Sequence, residues 1–261
     1  MEQDLQGILA RALAVPVSAL AAGRLGPVTV AVIDSGIDAT HPDLAGRVAE
    51  SLAVTADPDG HTTITPTDPA ANNDTYGHAT AVASIIGRIA PNTRFIDIRV
   101  LGSNNHGSAD ALLAGIDHAN YGPAGLMNIS VAVGEAYVPR LMPLTDMAYR
   151  RGKIIVAATR NAPLEDEGYP ASIVPCIGVG NARQGPEDQW RYQRDVIEFL
   201  AHGVDVPIAV AGGGYSTQTG TSFATPIVTG IVALMLGAHP GLTPFEVKAL
   251  LKAFAAEIRM R

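Results

Sequence analysis

A single cysteine, Cys176, occurs among 261 residues, so the chain forms neither an intrachain disulfide nor a site built from several thiolates. Set in the apolar stretch SIVPCIGVG, it reads as a small buried hydrophobe. Aromatic residues make up only 5%, and no run of lysine and arginine interrupts a chain of formal net charge −7 and pI near 5.4. Partners with a phosphate backbone require clustered cations, so nucleic acid is excluded as a partner. No stretch reaches membrane-spanning length free of glycine, proline and charge, so no membrane partner is expected. The amino terminus, MEQDLQGILARALAVPVSALAAG, carries Glu2 and Asp4 where an export signal has lysine or arginine, and Arg11 interrupts its apolar part. A cytoplasmic location is the expectation.

What the chain does have is a large apolar fraction, 47%, with 16% charged residues, the balance of a protein that buries a sizeable core. From residue 28 onward short apolar runs alternate with amphipathic stretches, the pattern of a parallel sheet with helical crossovers. Strands are expected at Val28–Ile33, Arg94–Val100, Leu126–Val131, Lys153–Ala158 and Ile173–Val179. Helices are expected at His78–Gly87, Ala109–Tyr121 and Met142–Arg151, then from about Ser222 to Gly237 and from Thr243 onward. Thr243-Pro244-Phe245-Glu246 has a good N-cap, a proline suited to the first helical position and a glutamate placed to complete a capping box. Residues 181–219 show no clear period, and the chain has no internal repeat and no domain linker.

Three polar residues stand where such a sheet places chemistry. Asp34 ends the first strand, at the carboxyl edge where open α/β sheets form their sites. His78 begins a helix in DTYGHATAVA, and Ser222 precedes the apolar run PIVTGIVALMLGA in GTSFATP. Taken singly each has a blander reading: a turn former, a cap or core histidine, a helix N-cap. Taken together they supply an orienting carboxylate, a general base and a nucleophile. The unpaired N–H groups of a helix start would favour an oxyanion formed at Ser222. The glycine-rich GGGYSTQTGTS has no lysine, which argues against a nucleotide-binding loop.

On these residues the chain resembles the subtilisin-like serine proteases, or subtilases. AVIDSGIDATHPDL at 31–44 is very close to the family's aspartate motif and GTSFATPIVTGIVAL at 220–234 to its serine motif. The order Asp, His, Ser is the family's own. The histidine motif is weaker, since His78-Ala79-Thr80-Ala81-Val82-Ala83-Ser84 lacks two glycines and the second histidine. The resemblance implies an α/β single-domain fold: a mainly parallel, twisted sheet flanked by helices on both faces. It implies a short, helical extension over 1–27, a catalytic domain over 28–261, and a serine endopeptidase with Asp34, His78 and Ser222 as its triad. It further implies that Asn161 and the Ser222 N–H form the oxyanion hole. Ser130, Val131 and Ala132 would line one wall of a peptide cleft, facing Asn105, His106 and Gly107, where a substrate pairs as an added strand.

The departures carry expectations of their own. Ala132 and Val133 replace small glycines and would narrow the first specificity pocket. Arg160 replaces a glycine beside Asn161: where the backbone needs a conformation easy only for glycine, it would strain the chain or turn the Asn161 amide away. The alternative is that it points into the cleft and contacts an acidic substrate group. IIGRIAP at 85–91 is too short for a calcium-binding loop, and Asp43 alone cannot supply six to eight oxygen ligands, so neither a metal nor a cofactor is expected. About 27 residues before the first core strand are too few for an inhibitory prodomain. A minimal, cytoplasmic protease is therefore expected to be narrow in specificity, suited to maturing a peptide precursor, or held in check by an occluded cleft or a regulatory protein partner. The rival reading is a pseudoprotease that binds a peptide or protein in the same cleft.

Overall fold

The computed structural model describes residues 25–161, 168–182, 190–193 and 195–259. Most of the extension expected over 1–27 lies outside the described residues.

Strand β1, Val28–Asp34, is VTVAVID, and every residue but Thr29 is buried. A strand covered on both faces needs this continuous apolar run, rich in β-branched residues, rather than alternation. β1 pairs in parallel with β4 (Thr93–Arg99) on one side and β5 (Leu126–Ile129) on the other. The sheet continues outward through β6 (Ile154–Ala158), β7 (Ile177–Ala182), β9 (Phe199–His202) and β8 (Trp190–Tyr192), and on the other side through β2 (Val48–Ala56) and β3 (Thr62–Thr67). Its nine strands run β3-β2-β4-β1-β5-β6-β7-β9-β8, and only the two outermost pairs are antiparallel. β10 (Val206–Ala209) and β11 (Tyr215–Gln218) form a separate hairpin.

Because β4 and β5 flank β1 on opposite sides, the chain reverses its direction of travel across the sheet there. The carboxyl end of β1 is thus a topological switch point, the crevice in which α/β folds place their sites. Asp34 is the last residue of that strand.

Helices cover both faces. α1 (His78–Ile89), α4 (Thr221–Ala238) and α5 (Pro244–Arg259) pack over the side chains of Val30, Val32, Phe95, Leu126 and Val156. α2 (Ala109–Tyr121) and α3 (Val138–Arg150) cover Ala31, Ile33, Ile98, Met127 and Ile155. α4 is long and apolar enough to cross a membrane by length and composition, but 78% of it is buried inside the protein, as befits a core helix. Thr243 and Glu246 close the expected capping box: the Thr243 N–H donates to Glu246 Oε2 at 2.8 Å, and the Glu246 N–H to Thr243 Oγ1 at 3.3 Å. Cys176 is buried and free, and burial pushes its thiol up to about 12.

The expected elements occur with shifted ends. The strand expected over Ile173–Val179 begins only at Ile177, because Pro175 lacks an N–H and Cys176 turns back to the Ile173 carbonyl. α3 starts at Val138, four residues early, since Pro139 suits a first turn. Among its described residues the stretch 181–219 holds four short strands, of which β11 is exposed throughout and so has no hydrophobic period to detect. β3 is likewise an almost wholly exposed edge strand.

Three tethered cations fill turns lined by carbonyl oxygens. Lys153 Nζ donates to the carbonyls of Ala119, Gly122 and Ala124 at 2.8, 2.6 and 2.8 Å. Lys248 Nζ donates to those of Val174 and Cys176 at 2.9 and 3.0 Å and pairs with Glu198 at 2.5 Å. The Arg47 guanidinium reaches the carbonyls of Gly87 in the last turn of α1 and of Ala90 and Thr93 just beyond it.

Asp97 in β4 is fully buried, with Ser51 Oγ donating to its Oδ2 at 2.6 Å. Burial pushes this carboxyl from an ordinary 3.8 up to about 7, against the lowering pull of Ser51. Below an ordinary carboxylate pKa both folded and unfolded chains carry the proton; above it only the folded chain keeps it, until the pH passes about 7. Asp97 therefore costs stability progressively as pH rises through that window. Urea unfolding of wild type and Asp97→Asn from pH 4 to 8 is expected to show the variant gaining on the wild type as pH rises, and a constant difference would contradict this burial argument.

Candidate active site

Asp34 has no exposed surface, and its carboxylate accepts from the Ser35 N–H at 2.7 Å. His78, the first residue of α1, brings its Nδ1 to 2.8 and 2.9 Å from the two Asp34 oxygens. A carboxylate only accepts, so Nδ1 carries the hydrogen and Nε2 is left with its lone pair. The imidazole ring lies 5.4 Å from the Phe223 ring, and its side chain is 10% exposed. Burial pulls the His78 pKa down, but the charge and hydrogen bond of Asp34, with Asp74 behind it, outweigh this and leave it above the ordinary 6.5.

Gly36 lets the β1 end meet the chain that leads into α1. A Cβ there would lie 2.1 Å from the Asn73 carbonyl oxygen, and its φ of +95° suits glycine.

Ser222 is the second residue of α4, whose N-cap is Gly220 with no side-chain cap, so the reading of Ser222 as the cap residue is set aside. In this first turn the Thr221 N–H goes to Asn161 Oδ1 at 3.0 Å, while the N–H groups of Phe223 and Ala224 turn to the Gly220 carbonyl. The Ser222 N–H has no acceptor among the described residues, as expected at a helix start. Thr221 Oγ1 gives its one hydrogen to the Thr159 carbonyl at 2.6 Å, so it is the Thr221 N–H that holds the Asn161 amide oxygen, and Nδ2 is the group of that amide left to donate. The Ser222 hydroxyl donates to the Ser130 carbonyl at 3.1 Å, and the Ser130 hydroxyl to the Ser222 carbonyl at 3.1 Å. Ser130 is in turn held by Asn128, whose Nδ2 donates to Ser130 Oγ and whose Oδ1 accepts from Thr229 of α4.

His78 and Ser222 open onto one cavity of about 270 Å³. Asn105, His106 and Gly107 line one side of it and Ser130, Val131 and Ala132 the other, so six of the seven expected cleft residues come together. Arg160 does not line it; its backbone N lies within 3.3 Å of where a Gly168 Cβ would stand. Arg160 is not among the residues of positive φ, so the backbone strain expected from replacing glycine does not arise. Val100, Leu101, Ser108 and Leu112 also line the cavity. These were not foreseen: Val100 and Leu112 belong to the same apolar periods that build the core.

Among the described residues, Asp57, Asp59 and His61 form the one group of carboxylates and imidazole close enough to share an ion. They are exposed, and Asp57 already accepts from the Asp59 and His61 N–H groups at 2.9 Å. Asp43 accepts the Tyr215 hydroxyl at 2.8 Å.

A parallel sheet with a carboxylate–imidazole pair at its switch point and a serine at the start of the adjoining core helix defines the class of α/β serine hydrolases. The sequence profile of the subtilase family matches residues 26–258, and the chain belongs to that family of subtilisin-like serine endopeptidases. It is 30% identical over 242 residues to a subtilisin of Bacillus pumilus, covering 87% of this chain and 83% of the relative. It is 30% identical to subtilisin E of Bacillus subtilis (strain 168), of whose length it spans 60%. An intracellular serine protease of Paenibacillus polymyxa is 30% identical over 223 residues, covering 80% of this chain and 66% of the relative. The solved structure of a cold-adapted subtilisin-like serine proteinase superposes with a TM-score of 0.69 at 28% identity, over 87% of this chain and 82% of that one.

The charge balance around His78 is directly measurable. Its imidazole is expected to titrate above 6.5 by NMR, and Asp34→Asn is expected to bring the midpoint below the wild-type value, because burial then acts with less opposition. An unmoved midpoint would show that Asp34 does not hold the imidazolium.

Proposed function

We propose that the protein cleaves peptide bonds through an acyl-enzyme formed on Ser222, with His78 as general base and Asp34 as the group that orients and stabilises it. The observation that carries this reading is the 2.8 Å Asp34–His78 contact beside a cavity that also holds Ser222. Asp34 keeps the proton on Nδ1, and Nε2 takes the proton of the Ser222 hydroxyl as Oγ attacks the scissile carbonyl. The Ser222 N–H and Asn161 Nδ2 receive the oxyanion, and the imidazolium returns its proton to the leaving amine. Water then repeats the attack on the acyl group.

An extended peptide lies between the 130–132 and 105–107 segments as an added strand. A backbone N–H of that peptide donates to the Ser130 carbonyl, the acceptor that the Ser222 hydroxyl uses in the free protein, and so turns the hydroxyl toward His78. The side chains of Ala132 and Val133 restrict the pocket, which favours a narrow choice of substrate and a role in maturing a peptide precursor. Likeness to a relative named for its intracellular location supports a cytoplasmic enzyme. The bond from Ser222 to Ser130 also favours a second reading, in which the cleft binds a peptide without cutting it.

A fluorophosphonate probe followed by mass spectrometry separates the two. One adduct, at Ser222, lost in Ser222→Ala and His78→Ala, is the expected result; no adduct on folded protein would favour the binding-only reading. In an active enzyme Asn161→Ala is expected to lower kcat by about 10²–10³-fold with little change in KM, the range of about 2.7–4 kcal/mol known for such a donor in a related subtilisin. Rapid, unselective degradation of unfolded casein would contradict the narrow specificity.

A further inference from the structure

A second carboxylate, Asp74, stands behind the His78 helix, four residues before the histidine. The N-cap of α1 is Gly77, with φ of 103° and no side chain to satisfy the N–H groups of the first turn. Asp74 and Ser35 supply what the cap lacks. Asp74 Oδ1 accepts the N–H groups of Gly77 and Tyr76 at 2.6 and 3.0 Å, and Oδ2 accepts the N–H and hydroxyl of Thr80. Ser35 Oγ donates to Asp74 Oδ1 at 2.8 Å and accepts the Ala79 N–H at 3.0 Å. Thr80 Oγ1 passes the contact on by accepting the Asp38 N–H at 2.9 Å. Residues on both sides of His78 are thus clamped to Ser35, the neighbour of Asp34.

We propose that Asp74 is a positioning residue for His78: through Ser35 and the first turn of α1 it fixes the imidazole onto Asp34, and its charge helps hold the imidazolium. The proposal rests on the reading of His78 as a general base. An ordinary helix cap would satisfy the N–H groups without being tied to the strand that carries Asp34; here one carboxylate joins the two. Two acidic groups face the imidazole from different elements, Asp34 from β1 and Asp74 from the turn before α1. Asp97 and Arg99 of β4 lie behind Asp74, with the Arg99 guanidinium on the Asn73 carbonyl at 3.2 Å, and His106 stands across the cavity. Asp74 raises the His78 pKa in the same sense as Asp34.

The test combines NMR titration of His78 in the full chain with kcat and KM on an apolar tetrapeptide p-nitroanilide, for wild type, Asp74→Asn and Ser35→Ala. Asp74→Asn keeps the volume and removes the charge. It is expected to move the His78 midpoint down and to lower kcat by about 100-fold with KM little changed, as slight misplacement of a catalytic group does. Ser35→Ala keeps the charge and cuts one link, so kcat is expected to fall while the midpoint stays. Wild-type kcat and an unmoved midpoint in Asp74→Asn would overturn the proposal, as would a loss confined to KM. Should Asp74→Asn not fold, Ser35→Ala decides, and wild-type turnover there would overturn it. A wild type that hydrolyses no peptide counts against the endopeptidase reading alone, and the two midpoints then decide the role of Asp74.

Discussion

A carboxylate without any exposed surface has to be met by donors, and Asp34 at the end of the central strand is such a group. One donor is local, the N–H of Ser35, and costs the chain only a turn. The other is the imidazole of His78, which belongs to a helix that comes after two further strands. Bringing it there fixes how α1 begins, and the glycine at 36 lets the end of β1 close on residue 73. The Asp34 carbonyl, for its part, accepts the N–H groups of Val100 and Leu101, which anchors the start of the segment lining the cavity. One buried residue thereby registers three stretches of chain against one another.

The serine side is built differently. α4 runs through the core with scarcely a polar group: beyond Thr221 and Ser222 at its start it has only Thr225 and Thr229, which bond within the helix or to Asn128. This rigid rod places Ser222 by packing rather than by ionic contact. Asn128 joins the rod to Ser130, so the wall of the cavity is tied by hydrogen bonds to the helix that carries the serine. The histidine side rests on charge and the serine side on close packing, and the two meet at the sheet's switch point.

Much of this was legible in the sequence where residues act locally. The continuous apolar run of β1 and the capping box of α5 each carry their signal within a few residues. The motifs around Asp34, His78 and Ser222 mark those side chains, but the contacts that orient them come from distant parts of the chain. Nothing near Asp74 announces that Ser35 will lie against it, and nothing near Asn161 announces Thr221. The cavity wall contributed by Val100 and Leu112 was hidden because an apolar residue beside a cleft has the same spacing as one in the core. The short strands β8 to β11 escaped because three or four residues, some wholly exposed, are too few to display a period.

The lysines at 153 and 248 and the arginine at 47 sit where carbonyl oxygens converge, an arrangement that a loosely held inorganic cation would also satisfy. A diffusible ion stabilises a fold only in proportion to its occupancy, so its contribution rises and falls with the medium. A cation carried on a side chain is covalently part of the fold and cannot diffuse away. The turns after α1, after α2 and before β7 therefore keep their closure whatever the surrounding supply of ions, and a chelator has nothing to withdraw from them.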